Sequence, residues 1–296
     1  RRMRLSWRGS RESREHPGVG RVLIQMGPAL LGVGVAQLSL MINTQISSHI
    51  AEGATSWLNY ADRLMEFPIG LLGVALAAVL TPQLSAAQAS GQSGRYSRLL
   101  DWGLRMVMLL ALPCAAGLVV FAAPLTAVLY HRGAFTAADV TNTAQSVMGW
   151  GVGLIGLIAV KVLAPGFFAR QDTGTPAKIA IAVLVLTQLF NLAFVPWIGV
   201  AGLALSIGLG ALVNAGWLLW GLKRLGSYRP EPGWRAFGLR VLLGCAAMGL
   251  LQWQLATRLD WIALGSHEIE RALVMAGALA GSAAVYFGVL LLVGLR

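Results

Sequence analysis

Charged residues are scarce in this chain of 296 residues, of which 12% are charged and 56% are hydrophobic. A water-soluble domain typically carries about 25% charged residues, which it needs to cover its surface. The composition therefore excludes an ordinary soluble protein and indicates a membrane protein. Glycine occurs 36 times, and it is more frequent in transmembrane helices than in soluble ones.

Cysteine and histidine are also rare, with two and four residues. Cys114 and Cys245 lie in different apolar segments, so they predict buried thiols and not a disulfide framework or a metal site. The histidines are isolated, and the sequence contains no Walker loop or nucleophile elbow. We therefore predict no catalytic residue, no metal and no cofactor. His131 with Asp139 is the faint candidate that a membrane-bound glycosyl- or acyltransferase would need.

The net charge of +11 raises the question of nucleic-acid binding. The basic residues lie in short runs between apolar blocks, whereas a nucleic-acid-binding protein concentrates them on one face. We predict no nucleic-acid partner. The chain begins with Arg1 and no signal peptide precedes the first apolar run, so we expect a portion of a longer protein.

Eight apolar segments are long enough to cross a bilayer, which takes roughly 20 residues. Their predicted cores are Val22–Ile46, Leu64–Leu84, Leu104–Ala123, Val147–Phe168, Ile179–Ile198, Val200–Leu222, Phe237–Ala256 and Leu273–Leu295. The fifth and sixth are joined so tightly, at Pro196–Gly199, that they must form a helical hairpin. The predicted fold is an all-α, polytopic transmembrane helical bundle.

The basic residues predict which way the spans point. With eight spans, most of the 23 Lys and Arg residues fall on one side of the membrane, and cytoplasmic loops are the ones enriched in these residues. Both ends of the chain are therefore predicted to be cytoplasmic, and Arg132, Arg258 and Arg271 fall on the opposite side. We interpret Thr81–Arg105 as a cytoplasmic loop leading into an interfacial helical turn, with an ordinary connecting loop as the alternative.

The run Gly151–Gly156 matches the dinucleotide-binding pattern GxGxxG. It follows no strand and lies inside an apolar span, so close helix packing through small residues explains it better. Gly277 and Gly281 in the last span receive the same interpretation.

Charged residues within spans cost free energy and are therefore informative. Asp62, Arg63 and Glu66 are close enough along one helix to pair with one another. Arg63 either anchors that helix at the interface or faces an aqueous cavity and meets an anionic substrate.

Lys161 lies near the cytoplasmic end of its span, where snorkelling to the headgroups is the alternative to a substrate role. For Asn43 and Asn191, interhelical hydrogen bonds are the expected role, with a cation site as a minority hypothesis.

Several segments resemble one transporter family. The sequence similarity is carried by Gln25–Pro28, Asn59–Pro68, Gly70–Leu76, Lys161–Phe168, Arg170–Asp172, Thr175–Ala180 and Ala201–Ser206, in order along nearly the whole chain. By these segments the chain is similar to the MurJ/MviN family of lipid II flippases, part of the multidrug/oligosaccharidyl-lipid/polysaccharide exporter superfamily.

The resemblance implies a bundle of fourteen spans, of which this chain holds the second lobe and the last two helices. Residues 1–21 would be a basic cytoplasmic tail or inter-lobe linker and 22–225 the six-helix lobe. Residues 226–296 would form two additional helices bordering a groove for a lipid tail. The missing N-terminal lobe of the same protein would supply most of the cationic cavity.

The resemblance also implies transport of lipid II, the undecaprenyl-pyrophosphate-linked peptidoglycan precursor, from the cytoplasmic to the periplasmic leaflet of the bacterial inner membrane. Arg63 matches a cavity arginine, with Asp62, Glu66 and Ser56 beside it, and Lys161 is a further substrate-binding candidate. Membrane lipids are the other expected partners. The alternative is an exporter of another polyprenyl-linked saccharide or an amphipathic drug. Some members bind sodium between the spans that contain Asn43 and Asn191, but neither span here carries a carboxylate.

Overall fold

A computed structural model describes residues 34–35, 37–266 and 268–294, and every regular element in these ranges is a helix. The helices are α1 (37–50), α2 (Ala54–Pro68), a π-helical turn (Ile69–Val74), α3 (Ala75–Ala89), α4 (Ser93–Val120), α5 (Ala122–Tyr130), α6 (Ala137–Ala169), α7 (Gly174–Ile198), α8 (Val200–Arg224), α9 (Trp234–Arg258), a short 3₁₀ helix (Ala263–Ser266) and α10 (Glu268–Leu292). The predicted all-α fold is confirmed.

Seven helices of the described ranges are long and apolar enough to cross a membrane, and the first of them runs without a break from Ala54 to Ala89. They correspond to seven of the eight predicted spans. The remaining span, Val22–Ile46, lies largely outside the described residues, so the count of eight stays a prediction.

Glycines on α6 form the tightest helix contact of the bundle. A Cβ atom on Gly153 would lie 2.0 Å from Gly208 Cα on α8, and one on Gly149 would lie 2.8 Å from the Leu205 backbone nitrogen. A Cβ on Gly151 would lie 2.9 Å from a methyl group of Val119 on α4. Small residues let backbones approach this closely, so the packing interpretation of the GxGxxG pattern is confirmed.

The predicted hairpin between the fifth and sixth spans is also confirmed. Helix α7 ends at Ile198 and α8 begins at Val200, with Gly199 as the single connecting residue. Its φ of 57° and ψ of −132° lie in a region that side-chain-bearing residues avoid. The next turn is equally crowded, because a Cβ on Gly202 would meet the Phe194 carbonyl carbon at 2.8 Å.

The prediction for Thr81–Arg105 was wrong, because this segment is helical except at residues 90–92. Leu80, Leu84 and Ala87 are fully buried along one face of α3, at the spacing of an amphipathic helix. Burial of that face extends the helix past Pro82, and the left-handed Gly91 (φ 68°) follows its end.

Helix α6 begins ten residues before its predicted core, at Ala137. Thr136 and Asp139 form a capping box there: the Thr136 hydroxyl accepts from the Asp139 backbone N–H, and the Asp139 carboxylate accepts from the Thr136 N–H. These bonds satisfy two amides that a helix start otherwise leaves free. The short helix α5, which precedes it, was not predicted.

A buried carboxylate joins α4 to the connection between α8 and α9. Asp101 Oδ1 accepts from Tyr228, from the Glu231 backbone N–H and from Trp234 Nε1 at 2.7–3.2 Å. Its Oδ2 accepts from Arg105 Nε at 2.8 Å. Burial and the bond to Asp101 raise the pKa of Tyr228, so the phenol remains a donor. These bonds fix α9 against the end of α4.

One expectation for α10 was wrong. Gly277 and Gly281 have no atom within 4 Å of an added Cβ, so no described helix packs on them. Arg271, near the start of the same helix, is 1% exposed. Its Nη2 donates weakly to the Val128 carbonyl at 3.4 Å, in the last turn of α5, where the helix dipole favours a cation.

The glycine contact predicts a contrast between two alanine substitutions. Gly153→Ala places a methyl group into the backbone of α8, and overpacking of this kind costs about 1–3 kcal/mol. Gly277→Ala fills open space, and alanine is the better helix former by about 1 kcal/mol. Thermal unfolding of the purified variants should show a lower Tm for Gly153→Ala and an unchanged or higher Tm for Gly277→Ala. Equal effects would contradict the assigned contact.

Candidate functional site

A cavity of about 660 Å³ lies between α2, α4, α5, α9 and α10. Its wall is mostly apolar, built from Leu, Phe, Pro, Met, Ala and Gly residues. The polar side chains that line it are Arg63, Tyr130, Gln252, Ser282 and Tyr286. Cys114 also lines it and is half-buried, whereas Cys245 is buried, and both thiols are free. An apolar space with a few polar groups is typical of a ligand site.

Two prolines shape this cavity. Pro68 precedes the π-helical turn of the first span, and both Pro68 and Leu72 of that turn line the cavity. Pro113 in α4 lacks the N–H that would bond the Leu109 carbonyl. Tyr286 of α10 donates to that carbonyl instead, at 2.6 Å. The carbonyl that Pro113 leaves free is therefore bonded by α10, which forms one wall of the cavity.

Arg63 lies at the edge of the cavity, roughly 14 Å along α2 from its first residue. Its side chain is exposed, and it forms no ion pair with any described residue. Aromatic rings surround the neighbouring turn: Tyr60 lies 4.7 Å from Tyr130 and 5.3 Å from Phe135, between ring centroids. Arg63 therefore presents an exposed positive charge, without an ion pair among the described residues, beside an apolar space.

The start of α2 is fixed to the start of α6. Trp57 Nε1 donates to Asp139 Oδ1 at 2.7 Å, while Asp139 Oδ2 accepts from the Thr136 hydroxyl at 2.6 Å. Both carboxylate oxygens are thus used for structure. This occupation removes the support for pairing His131 with Asp139 as a catalytic centre.

A second cavity, of about 340 Å³, lies on another side of α2. Its walls come from α1, α2, α6 and α8, and it includes Asn43, Asn59, Asp62 and Trp150. Asp62 and Arg63 therefore line different cavities, since consecutive residues of a helix point about 100° apart. The expected pairing within Asp62, Arg63 and Glu66 was wrong, because the described side chains include no such ion pair.

The remaining predicted substrate residues line neither cavity. Ser56 and Glu66 are exposed on α2. Lys161 is exposed on α6, and its stem packs over the π-helical turn, where a Cβ on Gly73 would lie 3.3 Å from Lys161 Cγ. Lys161 is therefore not brought together with Arg63.

Asn43 and Asn191 are brought together, as expected for an interhelical hydrogen bond. Asn191 Nδ2 donates to Asn43 Oδ1 and to Gln188 Oε1, both at 3.0 Å. A sodium ion needs several free oxygens, whereas two of these three amide oxygens already accept from an N–H. No carboxylate lies on the described part of α1 or on α7. The cluster does not fit a sodium site.

Sequence reasoning missed two cavity-lining residues that have unpaired, buried polar atoms. Gln252 of α9 is 3% exposed and lines the larger cavity, and its Oε1 has no partner. Trp150 lines the smaller cavity, and its Nε1 has no hydrogen-bond partner. Gln252 was visible as a polar residue in an apolar span. The unpaired state of the Trp150 N–H has no sequence signal.

The helices define a multi-pass helical membrane protein, and its larger described cavity joins apolar walls to a few polar side chains. The family described as Lipid II flippase MurJ matches residues 2–269. The Lipid II flippase MurJ of Burkholderia cenocepacia is 52% identical over 283 residues, which are 95% of this chain and 54% of that protein. The Probable lipid II flippase MurJ of Vibrio cholerae is 38% identical over 281 residues, 95% of this chain and 53% of that protein. The chain belongs to the MurJ family and spans about half the length of these relatives.

Solved structures show the same fold. A structure titled Lipid II flippase MurJ, inward closed conformation, matches with a TM-score of 0.71 and 19% identity, over 89% of this chain and 54% of that one. An outward-facing MATE multidrug transporter of the MOP superfamily matches with a TM-score of 0.53 and 17% identity, over 97% and 65%.

The bond between Tyr286 and the Leu109 carbonyl predicts a coupling with Pro113. Tyr286→Phe leaves a carbonyl unpaired, which costs about 1–3 kcal/mol. Pro113→Ala restores the N–H that can bond this carbonyl within α4. In a double-mutant cycle on the free energy of unfolding, Tyr286→Phe should therefore cost less in the Pro113→Ala background. Additive effects would contradict the account.

Proposed function

We propose that this chain is the C-terminal part of a lipid II flippase, which moves lipid II from the cytoplasmic to the periplasmic leaflet by alternating access. The observation that carries the proposal is Arg63, an unpaired cation at the edge of a largely apolar cavity of about 660 Å³. Lipid II joins an anionic pyrophosphate to a long apolar tail. A guanidinium suits the pyrophosphate, because its planar fork binds phosphate oxygens in pairs. The apolar walls of the cavity suit the tail.

The division of the chain follows from this proposal. Residues 22–225 would form the second lobe and 226–296 the two helices that border the tail groove. Helices α9 and α10 supply Met248, Gln252, Leu279, Ser282 and Tyr286 to the cavity wall, which supports that role. Residues 1–21 would connect to an N-terminal lobe, because rocking between two states requires a second body.

Location and orientation are part of the proposal. The bacterial inner membrane is where the lipid-linked precursor crosses, and the basic residues favour both ends of the chain on the cytoplasmic side. The polar network at Asp101 would then lie at the cytoplasmic face. The other candidate substrate contacts remain Asp62, Glu66, Ser56 and Lys161. Of these, Asp62 lines the cavity of about 340 Å³.

An exporter of another polyprenyl-linked saccharide or an amphipathic drug is the alternative within the same fold. A neutral or cationic drug would gain nothing from an unpaired arginine, so the charge of Arg63 favours an anionic lipid. A glycosyl- or acyltransferase is less well supported, because the Asp139 carboxylate is occupied by Trp57 and Thr136.

The proposal predicts that the charge of Arg63 matters more than its bulk. Losing one partner of a hydrogen-bonded charge pair costs about 2–5 kcal/mol. In the complete protein, Arg63→Ala should abolish complementation of a flippase-depleted strain at normal membrane abundance. Arg63→Lys should complement partly, because an ammonium keeps the charge and loses the fork.

Growth and abundance are measured together, because the anchoring role predicts the opposite pattern. If Arg63 merely anchored α2, Arg63→Ala would lower the amount of protein, and the remainder would stay active. Normal growth with Arg63→Ala at normal abundance would overturn the substrate role.

A further inference from the structure

The π-helical turn at Ile69–Val74 holds one residue more than a regular helix would. In an α-helix, eighteen residues make about five full turns, so residues nineteen apart point about 100° away from each other. Three pairs with this spacing are nevertheless buried on both sides of the turn: Ala61 with Leu80, Met65 with Leu84, and Pro68 with Ala87. The turn therefore absorbs one residue, which keeps α2 and α3 facing the same core.

Burial of these faces does not require the extra residue. A regular helix one residue shorter would present the same faces to the core and keep the α-helical hydrogen-bond pattern throughout. π-helical turns are rare and occur mostly as single turns, frequently at functional sites. This turn adjoins the larger cavity, because Pro68 and Leu72 line that cavity.

Backbone bonding is already weakened where the turn begins. Pro68 lacks the N–H that would bond the Leu64 carbonyl. The Ile69 N–H is shared between the Met65 and Glu66 carbonyls. The register of the helix is therefore held least firmly next to the extra residue.

Side chains anchor the two ends of this span independently. Near its start, Trp57 Nε1 donates to Asp139 Oδ1 at 2.7 Å. In α3, Leu80 packs on α4, where a Cβ on Gly103 would lie 2.7 Å from a Leu80 methyl group. Between these anchors, no described atom lies within 4 Å of a Cβ on Gly70. The segment between the anchors can therefore change register without moving either end.

A change of register would turn Arg63 around the helix axis. Register shifts of helices take microseconds to milliseconds. If the extra residue is stored between Trp57 and Arg63, the segment that follows turns by about 100°, and each residue takes the place of the one before it. Arg63 then takes the place of Asp62, which lines the cavity of about 340 Å³. Leu64 takes the place of Arg63 at the cavity of about 660 Å³.

We propose that the π-helical turn is a register switch, which moves its extra residue along α2 and thereby turns Arg63 from the larger cavity to the smaller one. The inference rests on the proposed function and adds a conformational step to it. The shifted register brings Glu66 to the place of Met65, which is 3% exposed. Burial of a carboxylate is costly, so the observed register is the resting one.

Thiol crosslinking in the complete, cysteine-free protein reports the register without any cargo. Arg63→Cys is combined either with Leu129→Cys, in the wall of the larger cavity, or with Thr44→Cys, in the wall of the smaller one. A short bifunctional thiol reagent should join both pairs in membranes. Deletion of Gly70 removes the extra residue, so it should abolish the crosslink to position 44 and keep the crosslink to position 129.

Three matched variants control this measurement. Asp62→Cys with Thr44→Cys should crosslink with and without Gly70, because both positions line the smaller cavity. Gly70→Ala keeps the helix length and should keep every crosslink. Glu66→Gln should raise the yield of the pair at positions 63 and 44, since burial of an amide costs less than burial of a carboxylate. The switch is wrong if that pair never forms while the Asp62 control does, or if it forms equally without Gly70.

Transport gives a second readout with Arg63 intact. Deletion of Gly70 leaves both buried faces in place, so membrane abundance and lipid II affinity should stay unchanged while transport by the reconstituted complete protein is lost. Gly70→Ala should transport normally. Wild-type transport by the deletion variant at normal abundance would overturn the proposal.

The two readouts separate this inference from the proposed function. If the deletion variant does not reach the membrane, the crosslinks in the protein of natural length decide. If the protein of natural length neither binds nor moves lipid II, the proposed function fails, and the crosslinks still report whether α2 changes register.

Discussion

A bilayer offers no hydrogen-bonding partner in its core, and the structure depends on how each polar group meets that constraint. The Leu109 carbonyl, left free by Pro113, accepts from Tyr286. Nearer one end of α4, the buried Asp101 carboxylate accepts four bonds, from Arg105 of α4, from the connection between α8 and α9, and from Trp234 of α9. These two solutions hold α9 and α10 against α4, which creates the larger cavity. Satisfied polar groups thus build the scaffold.

Two charged side chains without an ion pair line the two cavities beside α2. Arg63 forms no ion pair, and Asp62 accepts no hydrogen bond from a described residue. Gln252 and Trp150 also line the cavities, but their unpaired Oε1 and Nε1 atoms are themselves buried. Buried Thr126, Thr143 and Arg271 keep unpaired atoms outside both cavities, so an unpaired polar atom does not by itself mark a site.

Hydropathy and glycine spacing predicted much of the fold, because span length and close helix contacts depend on residues that are near one another in the sequence. Seven spans, the hairpin at Gly199 and the packing face of α6 were recovered in this way. The ends of helices were not, since α3 continues past Pro82 through burial of Leu84 and Ala87. Arg63 was predicted as a cavity residue because a charged side chain costs free energy inside a membrane. The separation of Arg63 from Asp62, the burial of Arg271 and the wall formed by Trp150 arise from tertiary packing, which a single sequence does not display.

The central claim is that the cavity at Arg63 receives the lipid carrier. Photo-crosslinking tests it directly, with a photoreactive phenylalanine at Phe287 in the cavity wall and at Leu292, which is 88% exposed on the same helix. Radiolabelled lipid II should crosslink at position 287, unlabelled lipid II should compete, and Arg63→Ala should reduce the product. Position 292 should label without competition, as for bulk lipid. Equal, uncompeted labelling at both positions would contradict the account.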